Sequence, residues 1–155
     1  PDRTALVREW DAAWRRGSDC MYGVCLGGDP VGGAGLHRRI GPGGVEIGYW
    51  IAADRQGEGL ATEASAALTR VGLELAGADI VAISHAASNA RSAAIPGRLG
   101  FSRRPAGTGA CFDGGAKDPG VTWWATRATL AAGPLAATPR PTAVDADGTE
   151  IPWPA

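Results

Sequence analysis

The segment that most constrains this chain is Asp54-Arg55-Gln56-Gly57-Glu58-Gly59-Leu60-Ala61-Thr62-Glu63-Ala64. Val45, Ile47, Tyr49, Trp50 and Ile51 before it suit a strand. Leu60, Ala61, Ala64, Ala67, Leu68, Val71 and Leu75 recur along one helical stripe. The segment is therefore a strand-to-helix turn. Two glycines two residues apart allow positive φ and a close approach of backbone to ligand. The first helical amides have no partner within the helix, and they converge at the positive end of its dipole, where a phosphate is well held. The same features also describe an ordinary tight connection. A Rossmann fingerprint needs a third glycine where Thr62 stands, and a P-loop needs Gly-Lys-Ser/Thr. What remains is a shorter diphosphate cradle.

Around this turn the pattern is helix, three strands, helix, strand, helix, strand. Residues 4–16 read as a helix that Gly17 stops. Residues 21–26, 31–40 and 45–52 read as strands joined by glycine turns, which makes an antiparallel meander. Residues 60–76 read as one helix capped by Gly77. Residues 80–84 form a short buried strand, residues 89–98 a second helix ended by Gly100, and residues 121–129 a late strand. The fold class is α/β, a mixed and largely antiparallel sheet flanked by helices. The strand–helix–strand unit from Val45 to Ser84 predicts a parallel crossover. Residues 131–155 are rich in Pro and Ala and read as an extended arm.

Composition narrows the function. A chain of 155 residues suits one domain. Fifteen basic against 16 acidic residues, a net charge of −1, argue against a nucleic-acid binder. No apolar run is long enough to span a membrane, and no signal peptide opens the chain. Cys20, Cys25 and Cys111 lack metal-like spacing and read as reduced thiols of a cytoplasmic protein, with a Cys20–Cys25 bridge as the minor alternative. No metal site is expected. His37 and His85 each sit on or beside a strand, where a structural place and a place near the reaction are both open. Trp10 and Trp14 lie one helical turn apart and suit packing. Of Trp123 and Trp124, one must point away from the core.

Glu46-Ile47-Gly48-Tyr49-Trp50 followed by Gln56-Gly57-Glu58-Gly59-Leu60-Ala61-Thr62-Glu63-Ala64 resembles the central motif of the GNAT superfamily of N-acetyltransferases. Gln56, Gly59 and Ala61 match its Arg/Gln-x-x-Gly-x-Gly/Ala pattern. Asn89-Ala90-Arg91-Ser92 and Arg98-Leu99-Gly100-Phe101 resemble the Asn-x-x-Ser … Gly-Phe block of the branch that acetylates ribosomal-protein N-termini. The likeness runs over about residues 31–101, and more loosely over 121–127.

The resemblance implies acetyl-CoA as cosubstrate and a protein or small-molecule amine as acceptor. It places the CoA diphosphate on Gln56, Gly57, Glu58, Gly59, Leu60, Ala61 and Thr62. It places the pantetheine arm along Trp50, Ile51 and Ala52, whose free backbone groups would pair with the arm's amides. Asn89 would touch the cofactor, or cap the helix that follows it, or both. Ser92 would donate a proton to the leaving thiolate, or simply be small enough to admit the cofactor. Many family members carry a Tyr where this chain has Pro96, which favours Ser92 or water as proton source and predicts a disturbed helix. Glu46 is the candidate base, with a solvent-facing or salt-bridged strand carboxylate as the alternative. Strand amides near Ile51 are candidate oxyanion donors.

Two departures stand out. The family's opening strand and helix are absent ahead of Thr4, and the chain begins at Pro1 rather than Met, so residues are expected to be missing there. The acetyl-CoA-binding domain is placed at residues 1–130. Part of the arm, residues 136–153, is expected to supply an edge strand in this chain or, by swapping, in a second copy, which would make a homodimer. The acceptor loop is expected within residues 106–120. The competing function is an acyl-CoA-binding module without turnover.

Overall fold

A computed structural model describes residues 2–105, 119–145 and 147–154. The expected acceptor loop and Cys111 fall outside these residues, apart from 119 and 120. Helix α1 (Arg3–Arg15) starts where the Asp2 carboxylate accepts the Thr4 amide, and it leads into strands β1 (Asp19–Leu26), β2 (Asp29–His37) and β3 (Gly44–Ile51). Helix α2 (Leu60–Arg70) follows the glycine turn, then β4 (Ile80–Ala86), α3 (Ala90–Arg98), β5 (Ser102–Arg103), β6 (Gly120–Ala125) and α4 (Arg127–Ala131). The sheet order is β1-β2-β3-β4-β6-β5. β3 and β4 run parallel and the other neighbours antiparallel, as the crossover reading predicts.

One face of the sheet carries the core. Ala34, Leu36, Val45, Ile47, Val81 and Ile83 alternate inward and meet Ala66 and Leu68 of α2, Leu73, Ile95 of α3 and Leu99 just after it. The predicted single helix over 60–76 changes character at Val71. Residues Val71–Leu75 form a π turn, closed by the Ala76 amide on the Val71 carbonyl at 2.8 Å. Gly72 explains the fit: a Cβ there would stand 2.8 Å from Val81 Cγ2 and 3.2 Å from Val45 Cγ2. The wider turn seats backbone directly on the sheet, and only glycine allows it.

The late strand ends earlier than predicted. Beyond Ala125 the chain turns into α4, because the Thr129 hydroxyl accepts the Thr126 amide at 3.1 Å and fixes a helix start. The arm does not become an edge strand of this sheet. The described sheet strands all come from residues 19–125, and the arm pairs with itself through a Val144–Glu150 bridge. Its beginning is nevertheless built in: Leu135 is fully buried in the core. Among the described residues no helix is long and apolar enough to cross a membrane.

The aromatic expectations divide. Trp14 meets Tyr22 edge-on at 5.0 Å, yet Trp10 and Trp14 remain exposed rather than packed in the core. The Trp123 indole donates to His85, and Trp124 lies under the Arg104 guanidinium at 4.1 Å. Cys20 and Cys25 are free thiols, so the alternative bridge is not formed.

Candidate functional site

The site begins where the sheet comes apart. Pairing between β3 and β4 runs from Gly44–Ile80 to Ile47–Ile83 and stops, although both strands continue. A gap opens between residues 48–51 and 84–86. The Ala52 amide donates to the Val31 carbonyl at 2.8 Å. Antiparallel bonding alternates, so Glu46, Gly48, Trp50 and Ala52 turn their backbone groups toward β2. Tyr49 and Ile51 turn theirs toward the gap. Of the expected strand residues, Ile51 thus presents its main chain to the opening. Trp50 and Ala52 do not, and Tyr49, which the motif reading passed over, does.

The glycine turn forms the floor. Gly57 and Gly59 take φ of +90° and +87°, with open space where a Cβ would stand. The Gly59 carbonyl accepts the Thr62 and Glu63 amides at 2.9 and 3.0 Å. Among the described residues, the amides of 57–61 have no backbone acceptor. A cleft of about 790 Å³ runs from this floor to α3 and is lined by Tyr49, Trp50, Ile51, Gln56, Gly57, Gly59, Leu60, Ala61, Thr62, Asn89 and Ser92. Ala52 and Glu58 do not line it. Glu58 pairs instead with Arg55 at 3.0 Å.

Three arginines also line the cleft, to which the motif assigned no role: Arg55, Arg91 and Arg98. Arg91 Nη1 donates to Gln56 Oε1 at 2.7 Å, and Gln56 Nε2 donates to the Ile51 carbonyl at 3.2 Å. This chain of bonds ties the start of α3 to the glycine turn across the cleft. Asn89 and Ser92 lie in the first turn of α3, where Asn89 Oδ1 accepts the Ser92 amide at 3.0 Å as a cap.

Pro96 has a visible consequence. It has no amide hydrogen, so the Ser92 carbonyl four residues earlier lacks its helical donor. The Tyr49 hydroxyl points at that carbonyl at 3.4 Å. Burial raises the Tyr49 pKa, against an opposing effect of the contact with Ser92, so the phenol stays protonated at neutral pH. A hydroxyl therefore reaches α3 from β3.

Glu46 lies apart from Ser92. It sits three residues before Tyr49 and hence on the opposite face of β3. It is buried, and Arg39 Nε holds its carboxylate. His85 is also buried, and both its nitrogens are used. Trp123 can only donate to Nε2, at 3.0 Å, so Nδ1 carries the hydrogen and donates to the Ala86 carbonyl at 2.8 Å. His85 clamps β4 to β6 and has no free nitrogen.

Fold and cleft define an α/β domain with an anion-competent helix terminus feeding a gap between parting parallel strands. Comparison with known proteins places it further. Residues 2–102 match the acetyltransferase (GNAT) domain family. The chain belongs to the GNAT acetyltransferase family. It is 31% identical over 105 residues to YdaF of Bacillus subtilis (strain 168), described as a "putative ribosomal N-acetyltransferase". That match covers 64% of this chain and 55% of YdaF, so the chain spans about half the length of this curated relative. Among solved structures, a "probable acetyltransferase" superposes with a TM-score of 0.72 at 26% identity, over 81% of this chain and 72% of the other. Mycobacterium smegmatis RimJ in complex with CoA-disulfide superposes at 0.74 with 20% identity, over 86% and 65% of the two chains. The latter likeness is one of fold.

Proposed function

We propose that this chain transfers the acetyl group of acetyl-CoA to an amine, which belongs to a protein N-terminus, an amino acid or another small molecule. The observation that carries the reading is the early end of β3–β4 pairing directly above a floor of unbonded amides. The diphosphate rests on the amides of 57–61, within reach of Arg55 and Arg91, at a positive helix end. Gln56 and Thr62 flank it, and Asn89 and Ser92 close the side toward α3. The amide groups of the pantetheine arm pair with the main chain of Tyr49 and Ile51 in place of the missing β4 partner.

The arm directs the thioester toward the parting point at Gly48. The amine nitrogen attacks the carbonyl carbon, a C–N bond forms and the C–S bond breaks. The Tyr49 amide, which faces the gap beside Gly48, is the strand donor for the carbonyl oxygen as charge builds on it. The thiolate takes its proton from the cleft side, where the Ser92 and Tyr49 hydroxyls lie. The nitrogen's proton leaves on the other face of β3, which carries Glu46.

Calorimetry with CoA and acetyl-CoA tests the binding half, and thiol release across a panel of amines tests the transfer half. Heat with both ligands and thiol release with at least one amine are expected. Absence of heat at millimolar ligand with folded protein overturns the reading. Heat without thiol release favours a binding module, which Pro96 and the Arg39-bound Glu46 would suit.

A further inference from the structure

The acetyl-transfer reading, on which this inference rests, needs a group that takes the amine's proton, and a second cluster on the sheet offers one. Asp19, His37, Glu46 and Ala82 are register partners in one row across β1 to β4. Their side chains share the face opposite α2. Asp19 Oδ1 lies 2.5 Å from His37 Nδ1. A carboxylate can only accept, so Nδ1 carries the hydrogen, and in the neutral ring Nε2 keeps its lone pair. Among the described residues Nε2 has no hydrogen-bond partner.

The direction of the ring is what makes this useful. His37 Nε2 lies 3.2 Å from where a Cβ would stand on Gly35, and equally 3.2 Å from one on Gly48. A side chain at either position would crowd the imidazole. Gly48 is the first β3 residue beyond the last β3–β4 pair. The bare nitrogen therefore leans along the sheet toward the point where the strands part. The His37 side chain is 16% exposed, enough for contact with a ligand from solvent. Its neighbours are already committed. The Glu46 carboxylate, 3% exposed, is held by Arg39, and His85 spends both nitrogens.

We propose that His37 is the general base of the transfer and that Asp19 is its positioning residue. The acceptor amine approaches over Gly48 from the His37 face. Nε2 removes one proton from the nitrogen as the C–N bond forms at the thioester carbon. The C–S bond breaks, a cleft hydroxyl protonates the thiolate and is itself reprotonated from water, and the imidazolium returns its proton to water. Asp19 holds the tautomer that leaves Nε2 bare and stabilises the cation that forms.

The test has one part that needs no known acceptor. Diethyl pyrocarbonate, mapped by peptide mass, should modify His37 and spare His85, and saturating acetyl-CoA should slow modification at His37. In steady state with an amine from the panel, His37→Ala should lower kcat by about 100-fold or more while its calorimetric affinity for CoA stays within about twofold. Added imidazole should restore part of that loss, which a merely structural role would not allow. Asp19→Asn should lower kcat by about tenfold with little change in KM. No CoA heat in the wild type sinks the acetyl-transfer reading itself. With CoA heat present, the His37 assignment alone falls if acetyl-CoA gives no protection, if imidazole fails to rescue, or if Glu46→Gln loses more rate than His37→Ala.

Discussion

Gly59 shows what a single residue contributes here. Its φ of +87° is open to glycine and costs a residue with a Cβ roughly 1–2 kcal/mol, although nothing stands near the position to clash. Gly59→Ala should therefore lower unfolding free energy by about 1 kcal/mol in urea titrations. It should weaken CoA binding by about tenfold or more, because relaxing φ turns the amides of 57–61 away from a common point. Equal affinity in the variant would separate the glycine turn from the ligand. Arg91 is the complementary case. Its bond to Gln56 is exposed, so Arg91→Ala should shift stability by less than about 0.5 kcal/mol. CoA affinity should nevertheless fall, and fall less at high salt, as measured by calorimetry at two ionic strengths. The motif revealed the glycines because their spacing is local. It could not reveal Arg91, whose partner lies 35 residues away, nor the Asp19–His37 contact across two strands.

At the scale of elements, α3 carries two instructions in one first turn. Asn89 caps the helix, and the same turn lines the cleft. The two roles separate by substitution. Asn89→Ala should cost about 1 kcal/mol through loss of the cap, seen as a fall of about 2–4 °C in melting temperature. Asn89→Asp keeps an acceptor for the Ser92 amide and should hold the melting temperature, yet weaken CoA binding by placing negative charge beside the anion site. An unaltered affinity for Asn89→Asp would move the ligand away from α3. Most elements were readable in advance. β3 betrayed itself by its β-branched and aromatic residues, β1 and β2 by the glycine turns that bound them, and the helices by their apolar stripes. What stayed hidden was decided by packing. The apolar stripe runs unbroken through Leu68, Val71 and Leu75, yet the α-helix gives way at Val71 because Gly72 lets backbone settle on Val81. The two-residue β5 is too short to leave any periodicity.

The molecule as a whole is closed by a polar clamp between α2 and the arm. Arg70 is buried, and its Nη2 donates to the carbonyls of Leu135 and Thr138 at 2.8 and 2.7 Å. Nη1 reaches Glu74 at 3.2 Å, and Arg140 reaches the same carboxylate at 2.7 Å. Composition marked residues 131–155 as a loose arm. A fully buried Leu135 and this clamp make its first part belong to the domain. Deleting 133–155 strips a core leucine and orphans Arg70, so melting temperature should drop by about 6–12 °C for a loss near 3 kcal/mol. An unchanged melting temperature would show that the clamp is idle. Glu74 adds a pH signature. Burial would raise its pKa, but hydrogen bonds from Arg140 and Arg70 outweigh that and leave it lowered. A carboxyl whose folded pKa is depressed contributes stability fully present above its unfolded pKa, and loses it as pH falls through the folded value. Wild-type stability should thus decline on acidification through and below the ordinary carboxylate range. In Glu74→Gln the neutral-pH stability should be lower and that part of the acid slope should be gone. Urea titrations of both proteins at neutral and acid pH give the comparison. Parallel slopes would mean that the arginines hold the arm without the carboxylate, through the Leu135 and Thr138 carbonyls alone.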